Sequence, residues 1–345
     1  MGPRVTGSTP PAASLLALGF DGLVPSREIL DFIARGGRAV VLFARNYDSP
    51  AQLTRLCQSL HRAVPAGDCD ADLLIAVDHE GGRVQRFRNG FTAIPSMRAL
   101  GAAAVHGDLD ASLRAVDDAA RTMARELGAV GMDLDFAPVV DVDSNPDNPV
   151  IGERSLGPDA ALVATLAARF IATLQAGGVA ACAKHFPGHG DTTVDSHLSL
   201  PQLAHQRARL ESLEWVPFRA AIAAGVASIM TAHVVLDSID PGVPGTLSEK
   251  VVTGVLRQEL GFDGLVFSDD CEMKAVADTV GVGAAAVGAI RAGCDLAIVS
   301  NTERLRREAL AAVDAAVASG SIAAERIDES RRRRSAALRR VATRS

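Results

Sequence analysis

The chain has 345 residues, 48% of them hydrophobic and 22% charged, which allows one large buried core or two modest ones. A formal charge of -6 and a pI near 5.8 exclude a general polyanion-binding role, because non-specific nucleic-acid affinity rests on neutralising phosphates with Lys and Arg. A small neutral or mildly anionic ligand is the compatible partner.

Residues 1–12 read as a flexible tail, with no apolar run behind a basic start and so no expected secretory signal. Nowhere does an apolar run reach the roughly 20 uncharged residues of a membrane-spanning helix, so a cytoplasmic protein without membrane insertion is expected. Beyond the tail, short runs rich in Val, Ile, Leu and Ala alternate with longer helical patterns. The runs are Leu15 to Phe20, Ala39 to Arg45, Leu73 to Glu80, Leu134 to Val142, Ala181 to Gly188, Ser228 to Val234, Leu265 to Asp270 and Leu296 to Ser300. This alternation predicts βαβ units around a parallel sheet buried on both faces, and eight runs are the number a closed barrel requires.

Helices are expected over Ala111 to Leu127, Ala160 to Gln175 and Leu210 to Ala224, where apolar residues recur at i, i+3 and i+4. No Pro/Gly/Ser-rich linker divides the chain. Residues 13–345 are therefore expected to form one α/β domain, a single (β/α)8 TIM-type barrel, monomeric or weakly dimeric. Cys57, Cys69, Cys182, Cys271 and Cys294 are scattered without a C-x-x-C pair and read as buried free thiols rather than a disulfide framework or a zinc site. The Arg331 to Arg334 run, followed by Arg339 and Arg340, reads as a solvated face.

In such barrels functional residues gather where strands end at the C-terminal face. Here the third run ends in Asp78-His79-Glu80-Gly81-Gly82-Arg83 with Arg86 following, and the fifth runs through Lys184-His185-Phe186-Pro187-Gly188-His189-Gly190-Asp191 into Asp195-Ser196-His197. The sixth ends at His233 and the seventh in Ser268-Asp269-Asp270. A carboxylate held ionised at a barrel mouth and flanked by cations is what covalent glycoside chemistry needs, and Asp269 suits that role. Its bland alternative is to cap the following helix, a job that Asp270 takes more naturally. His197 suits a general acid/base that titrates near neutrality, with Asp195 two residues earlier to orient the imidazole; the alternative is a surface His in a polar loop.

His185, His189, Asp191, Asp195 and His197 invite a metal reading, which is set aside because they fall on one strand and one loop while a metal-dependent hydrolase gathers ligands from several strands. Neither metal nor cofactor is expected. Asp78, Arg83, Arg86, Arg154 and Lys184 are groups of the kind that fix sugar hydroxyls and an acetamido carbonyl, or that form a salt-bridge network around the mouth.

With these residues assembled, the chain resembles the single-domain β-N-acetylglucosaminidases of glycoside hydrolase family 3, enzymes of peptidoglycan recycling. The resemblance covers nearly the whole sequence. It runs through Leu42 to Tyr47, Ala76 to Arg88, Val150 to Ser155, Lys184 to His197, Ile229 to His233 and Phe267 to Met273. It implies Asp269 as nucleophile and His197 as acid/base assisted by Asp195. Asp78, Arg86, Arg154, Lys184 and His185 would contact a terminal N-acetylglucosamine of a saccharide or muropeptide. The chain departs from the family pattern at Cys271 and Glu272, where Leu and a small hydroxyl residue are common; Cys271 is expected to bring sensitivity to thiol reagents. A β-glucosidase, a phosphorylase using phosphate as acceptor, and a catalytically silent sugar-binding barrel are the competing readings.

Overall fold

The computed structural model describes residues 11–68, 70, 72–193 and 200–342. Eight parallel strands close a barrel in chain order: β1 (Leu16–Leu18), β2 (Ala39–Leu42), β3 (Leu74–Val77), β4 (Leu134–Asp135), β5 (Ala180–Phe186), β6 (Ser228–Thr231), β7 (Leu265–Asp270) and β8 (Leu296–Val299), which returns to β1. Helices cross between successive strands, so the expected (β/α)8 architecture is the one observed. Among the described residues no single helix is long and apolar enough to cross a membrane.

Side chains two residues apart share a face of a strand, and the barrel interior follows that rule. Leu74 and Ala76, Ala180 and Cys182, and Leu265 and Phe267 all belong to one interior cluster, with Phe136 and Phe267 meeting edge to face at 5.1 Å. Two residues further along stand Asp78, just past the end of β3, Lys184 on β5 and Asp269 on β7. The alternation that packs the core thus carries charge to the open end.

The foot of the barrel is closed by the helix Ala324–Ala342, whose Ala337 and Val341 join the interior cluster. Its arginines are only in part the solvated face expected from sequence: Arg332, Arg339 and Arg340 are exposed, but others are not. Arg334 is fully buried and ion-paired with Asp70, while Arg326 and Arg333 reach the buried Asp295 at 2.8 and 3.2 Å, alongside Arg257 at 2.7 Å. Burial alone would raise the Asp295 carboxyl, but Arg257, Arg326 and Arg333 hold it below the usual carboxylate range.

Two further expectations are corrected. The fourth run leaves the ladder after Asp135 because Pro138 has no N–H to donate; the chain then tracks β5 through Val140 N to Lys184 O at 2.8 Å and Cys182 N to Ala137 O at 2.9 Å. The single helix expected over Leu210 to Ala224 is two, Arg207–Ser212 and Val216–Ala223. Pro217 starts the second because its ring cannot continue the first, and Trp215 at the break is buried against Phe186.

Replacing Asp295 by Ala leaves three guanidinium groups without their buried counter-charge. The expected outcome is a loss of about 3 to 5 kcal/mol in unfolding free energy. It is read as a lower denaturant midpoint at unchanged m-value; a midpoint equal to wild type would contradict the role assigned to this cluster.

Candidate active site

At the C-terminal end of the barrel lies a cavity of about 740 Å³ lined by residues from β2 to β8 and their loops. Its floor is apolar, with Val41, Phe136, Met230 and Ile298, and its walls carry charge. Lys184 Nζ, 2% exposed, sits 2.6 Å from both Asp78 Oδ1 and Glu80 Oε1. Arg154 grips Glu80 with Nε to Oε2 at 2.8 Å and Nη2 to Oε1 at 2.7 Å, and Arg86 Nη2 stands 3.4 Å from Asp78 Oδ2. Burial would raise both carboxyls. Lys184 and Arg86 nevertheless hold Asp78, and Arg154 and Lys184 hold Glu80, below the usual range; the two acids hold Lys184 charged against its own desolvation.

The line of alternating partners continues from Arg154 into a histidine. Arg154 Nη2 is 3.2 Å from His185 Nε2, and His185 Nδ1 is 2.7 Å from Asp141 Oδ2. The carboxylate can only accept, so Nδ1–H donates to it and Nε2 presents its lone pair to Arg154. Asp141 is fully buried, also accepts from the His189 amide at 2.7 Å, and against its own desolvation is held below the usual range by the hydrogen bonds from His185 and His189. His189 itself is pushed down to about 4 by burial and stays neutral. Arg83 also lines the cavity and donates to the Val150 carbonyl, while Arg86 faces Asp78.

Across the mouth, Asp269 lines the cavity and accepts the Asp270 amide at 2.8 Å. Asp270 does not cap the following helix, which starts at Lys274 without a side-chain cap. It accepts instead from the Glu272 amide at 3.0 Å, from Asn301 Nδ2 at 3.2 Å and from the Ser300 hydroxyl, and burial pushes its carboxyl up to about 7. Glu272, one of the two departures, accepts from the Asn301 and Thr302 amides at 2.6 and 3.0 Å, just ahead of the helix Glu303–Ala318, and so ties the β7 loop to the β8 loop. Cys271 is fully buried and desolvation pushes its thiol well up, so both access and thiolate are disfavoured, against the reagent sensitivity expected from sequence. His233 Nε2 is 3.0 Å from the Asp270 carbonyl and holds β6 to this turn.

Asp78, Arg86, Arg154, Lys184, His185 and Asp269 therefore meet in one cavity. Asp195 and His197 lie outside the described residues. Glu80 and Asp141 were missed as site residues by sequence reasoning, although Glu80 continues the in-facing parity of Asp78 and Asp141 lies near the end of the fourth apolar run. Of the metal grouping weighed from sequence, Asp195 and His197 lie outside the described residues, while His185 Nδ1 meets Asp141 and His189 Nδ1 meets the Thr192 hydroxyl at 2.7 Å. Asp191, His205 and Glu214 do bring donor atoms within 4.8 Å of one another, but Arg209 already supplies their positive charge, 2.8 Å from Asp191 and 3.3 Å from Glu214.

The sequence profile described as "Glycosyl hydrolase family 3 N terminal domain" matches residues 21–336. The chain belongs to glycosyl hydrolase family 3. Among its relatives, the "Beta-hexosaminidase" of Thiobacillus denitrificans is 43% identical over 276 residues, 80% of this chain and 74% of that protein. Among solved structures, a family 3 β-N-acetylglucosaminidase from Paenibacillus superposes with a TM-score of 0.91 at 43% identity, covering 99% of this chain and 64% of that one. The β-N-acetylhexosaminidase of Beutenbergia cavernae gives 0.86 at 33% identity, covering 96% and 98%. This family 3 chain is a glycoside hydrolase of the β-N-acetylhexosaminidase type.

One buried carboxyl beside the site makes a pH-dependent expectation for the hydrolase. Asp135 accepts the His79 amide through Oδ1, leaves Oδ2 buried without a hydrogen-bond partner, and is pushed up to about 8 by burial. Between about pH 4 and pH 8 the folded state keeps a proton that the unfolded state has released, so this group's contribution to stability falls as pH rises. The difference in unfolding free energy, Asp135→Asn minus wild type, is expected to grow across that interval; a difference independent of pH would contradict the assignment.

Proposed function

We propose that the protein is a retaining exo-β-N-acetylglucosaminidase that releases terminal β-linked N-acetylglucosamine, with peptidoglycan-derived muropeptides as its substrate class. The observation that carries this reading is Asp269 on the inner face of the barrel mouth, opposite the Asp78–Lys184–Glu80–Arg154 chain in one cavity. Support comes also from the relatives named above and from the long Lys184 to His197 motif.

In this reading the Asp269 carboxylate attacks the anomeric carbon and forms a glycosyl ester as the bond to the leaving oxygen breaks. His197, oriented by Asp195, gives its proton to that oxygen. The neutral imidazole then takes a proton from water, whose oxygen attacks the same carbon and returns Asp269 as carboxylate with retention at the centre. A neutral imidazole in place of a second carboxylate keeps another negative charge away from Asp269. Asp78, Arg86, Arg154, Lys184 and His185 hold the glycone; the buried ion pairs keep their donors and acceptors aimed at its hydroxyls and acetamide.

The test is release of p-nitrophenol from its β-N-acetylglucosaminide by wild type and Asp269→Ala, in phosphate-free buffer and with added phosphate. Turnover independent of phosphate and reduced roughly 10⁴-fold in the variant is expected. Sugar phosphate as the main product, or an unchanged Asp269→Ala rate, would overturn the proposal.

A further inference from the structure

The segment between Asp191 and His205 carries His197, and its two stems rest on different parts of the barrel. The entering stem is held by the β4 loop: Asn148 Nδ2 donates to the His189 and Gly190 carbonyls at 2.8 and 3.0 Å. Gly190 packs so tightly there that a Cβ would lie 1.7 Å from the Val142 carbonyl oxygen. The leaving stem is held by the β6 loop, where Gln202–Leu203 pairs with Val235–Leu236 and the Val235 amide donates to the Pro201 carbonyl at 2.9 Å. A side-chain contact joins the stems directly. His205 Nε2 lies 2.5 Å from Asp191 Oδ2, with Asp191 three-quarters or more buried and backed by Arg209, which also reaches the buried Glu214.

We propose that His205 is a positioning residue for the acid/base, acting through Asp191 to fix the distance between the ends of the segment that bears His197. The proposal rests on the assignment of His197 made above. Without the His205–Asp191 bond the stems are anchored only on separate loops. The bond between them turns two anchors into one frame, and a misplacement near 1 Å of a proton donor costs on the order of 100-fold in rate. The carboxylate accepts and Nε2–H donates, so a glutamine at position 205 can replace the bond and an alanine cannot.

The leaving group supplies the readout. A disaccharide, N-acetylglucosaminyl-β-1,4-N-acetylglucosamine, needs a proton on its departing oxygen, while 2,4-dinitrophenol departs without one. For His205→Ala, kcat/KM on the disaccharide is expected to fall on the order of 100-fold while that on the dinitrophenyl glycoside stays within about 3-fold. His205→Gln should recover most of the loss, and azide should accelerate kcat of His205→Ala on the dinitrophenyl substrate by attacking the glycosyl-enzyme in place of activated water. His197→Ala is run beside them. Leaving-group selectivity in His197→Ala but equal losses on both substrates in His205→Ala would overturn the positioning role alone. No selectivity in either would overturn it together with the assignment of His197.

Discussion

Lys184 is the residue on which the rest of the site depends. An ammonium group that is 2% exposed is sustained only because two carboxylates stand 2.6 Å away on either side, and each carboxylate is in turn tolerated only because cations face it. Charge balance then dictates the neighbourhood. Glu80 brings Arg154, Asp78 brings Arg86, and Arg154 meets His185, whose far side is fixed by Asp141. A chain of alternating partners spans strands that are distant in sequence, so no member can rotate without leaving a buried charge unpaired. That rigidity is what a glycone pocket requires, since its polar groups must be in place before the sugar arrives.

The opposite end of the barrel uses the same physics for another purpose. Asp295, with no exposure, gathers Arg257, Arg326 and Arg333 and so fastens the C-terminal helix beneath the strands. Between these two polar layers lies an interior packed by Leu74, Cys182, Phe136 and Phe267. The ion pairs at the foot fasten the C-terminal helix, those at the mouth line the cavity with charge, and the apolar layers lie between them.

Much of this was legible in the order of residues. Strand alternation placed Asp78, Lys184 and Asp269 on the interior face, because Leu74, Ala180 and Leu265 set a parity that the sequence continues. What was not legible was which charge serves which partner. Glu80 and Asp141 are counter-charges whose meaning depends on Arg154 and His185 arriving from elsewhere in the chain, and Arg334 looks solvated until Asp70 is placed beside it. Asp270 resembles a helix cap in sequence but spends its carboxylate on the Glu272 amide, Asn301 and Ser300. Pro217 was a readable signal for the break between Ser212 and Val216, overridden in the sequence reading by apolar periodicity.

The central claim is that the buried ion pairs act as one unit in holding the sugar. The most direct measurement is a double-mutant cycle between Lys184→Met and Glu80→Gln, with the dissociation constant of N-acetylglucosamine read by calorimetry. Strong non-additivity is predicted, with a coupling of about 1.5 kcal/mol or more, because either single change already strands the remaining partner. Additive losses within about 0.5 kcal/mol would mean that the two side chains act independently, and would contradict the account.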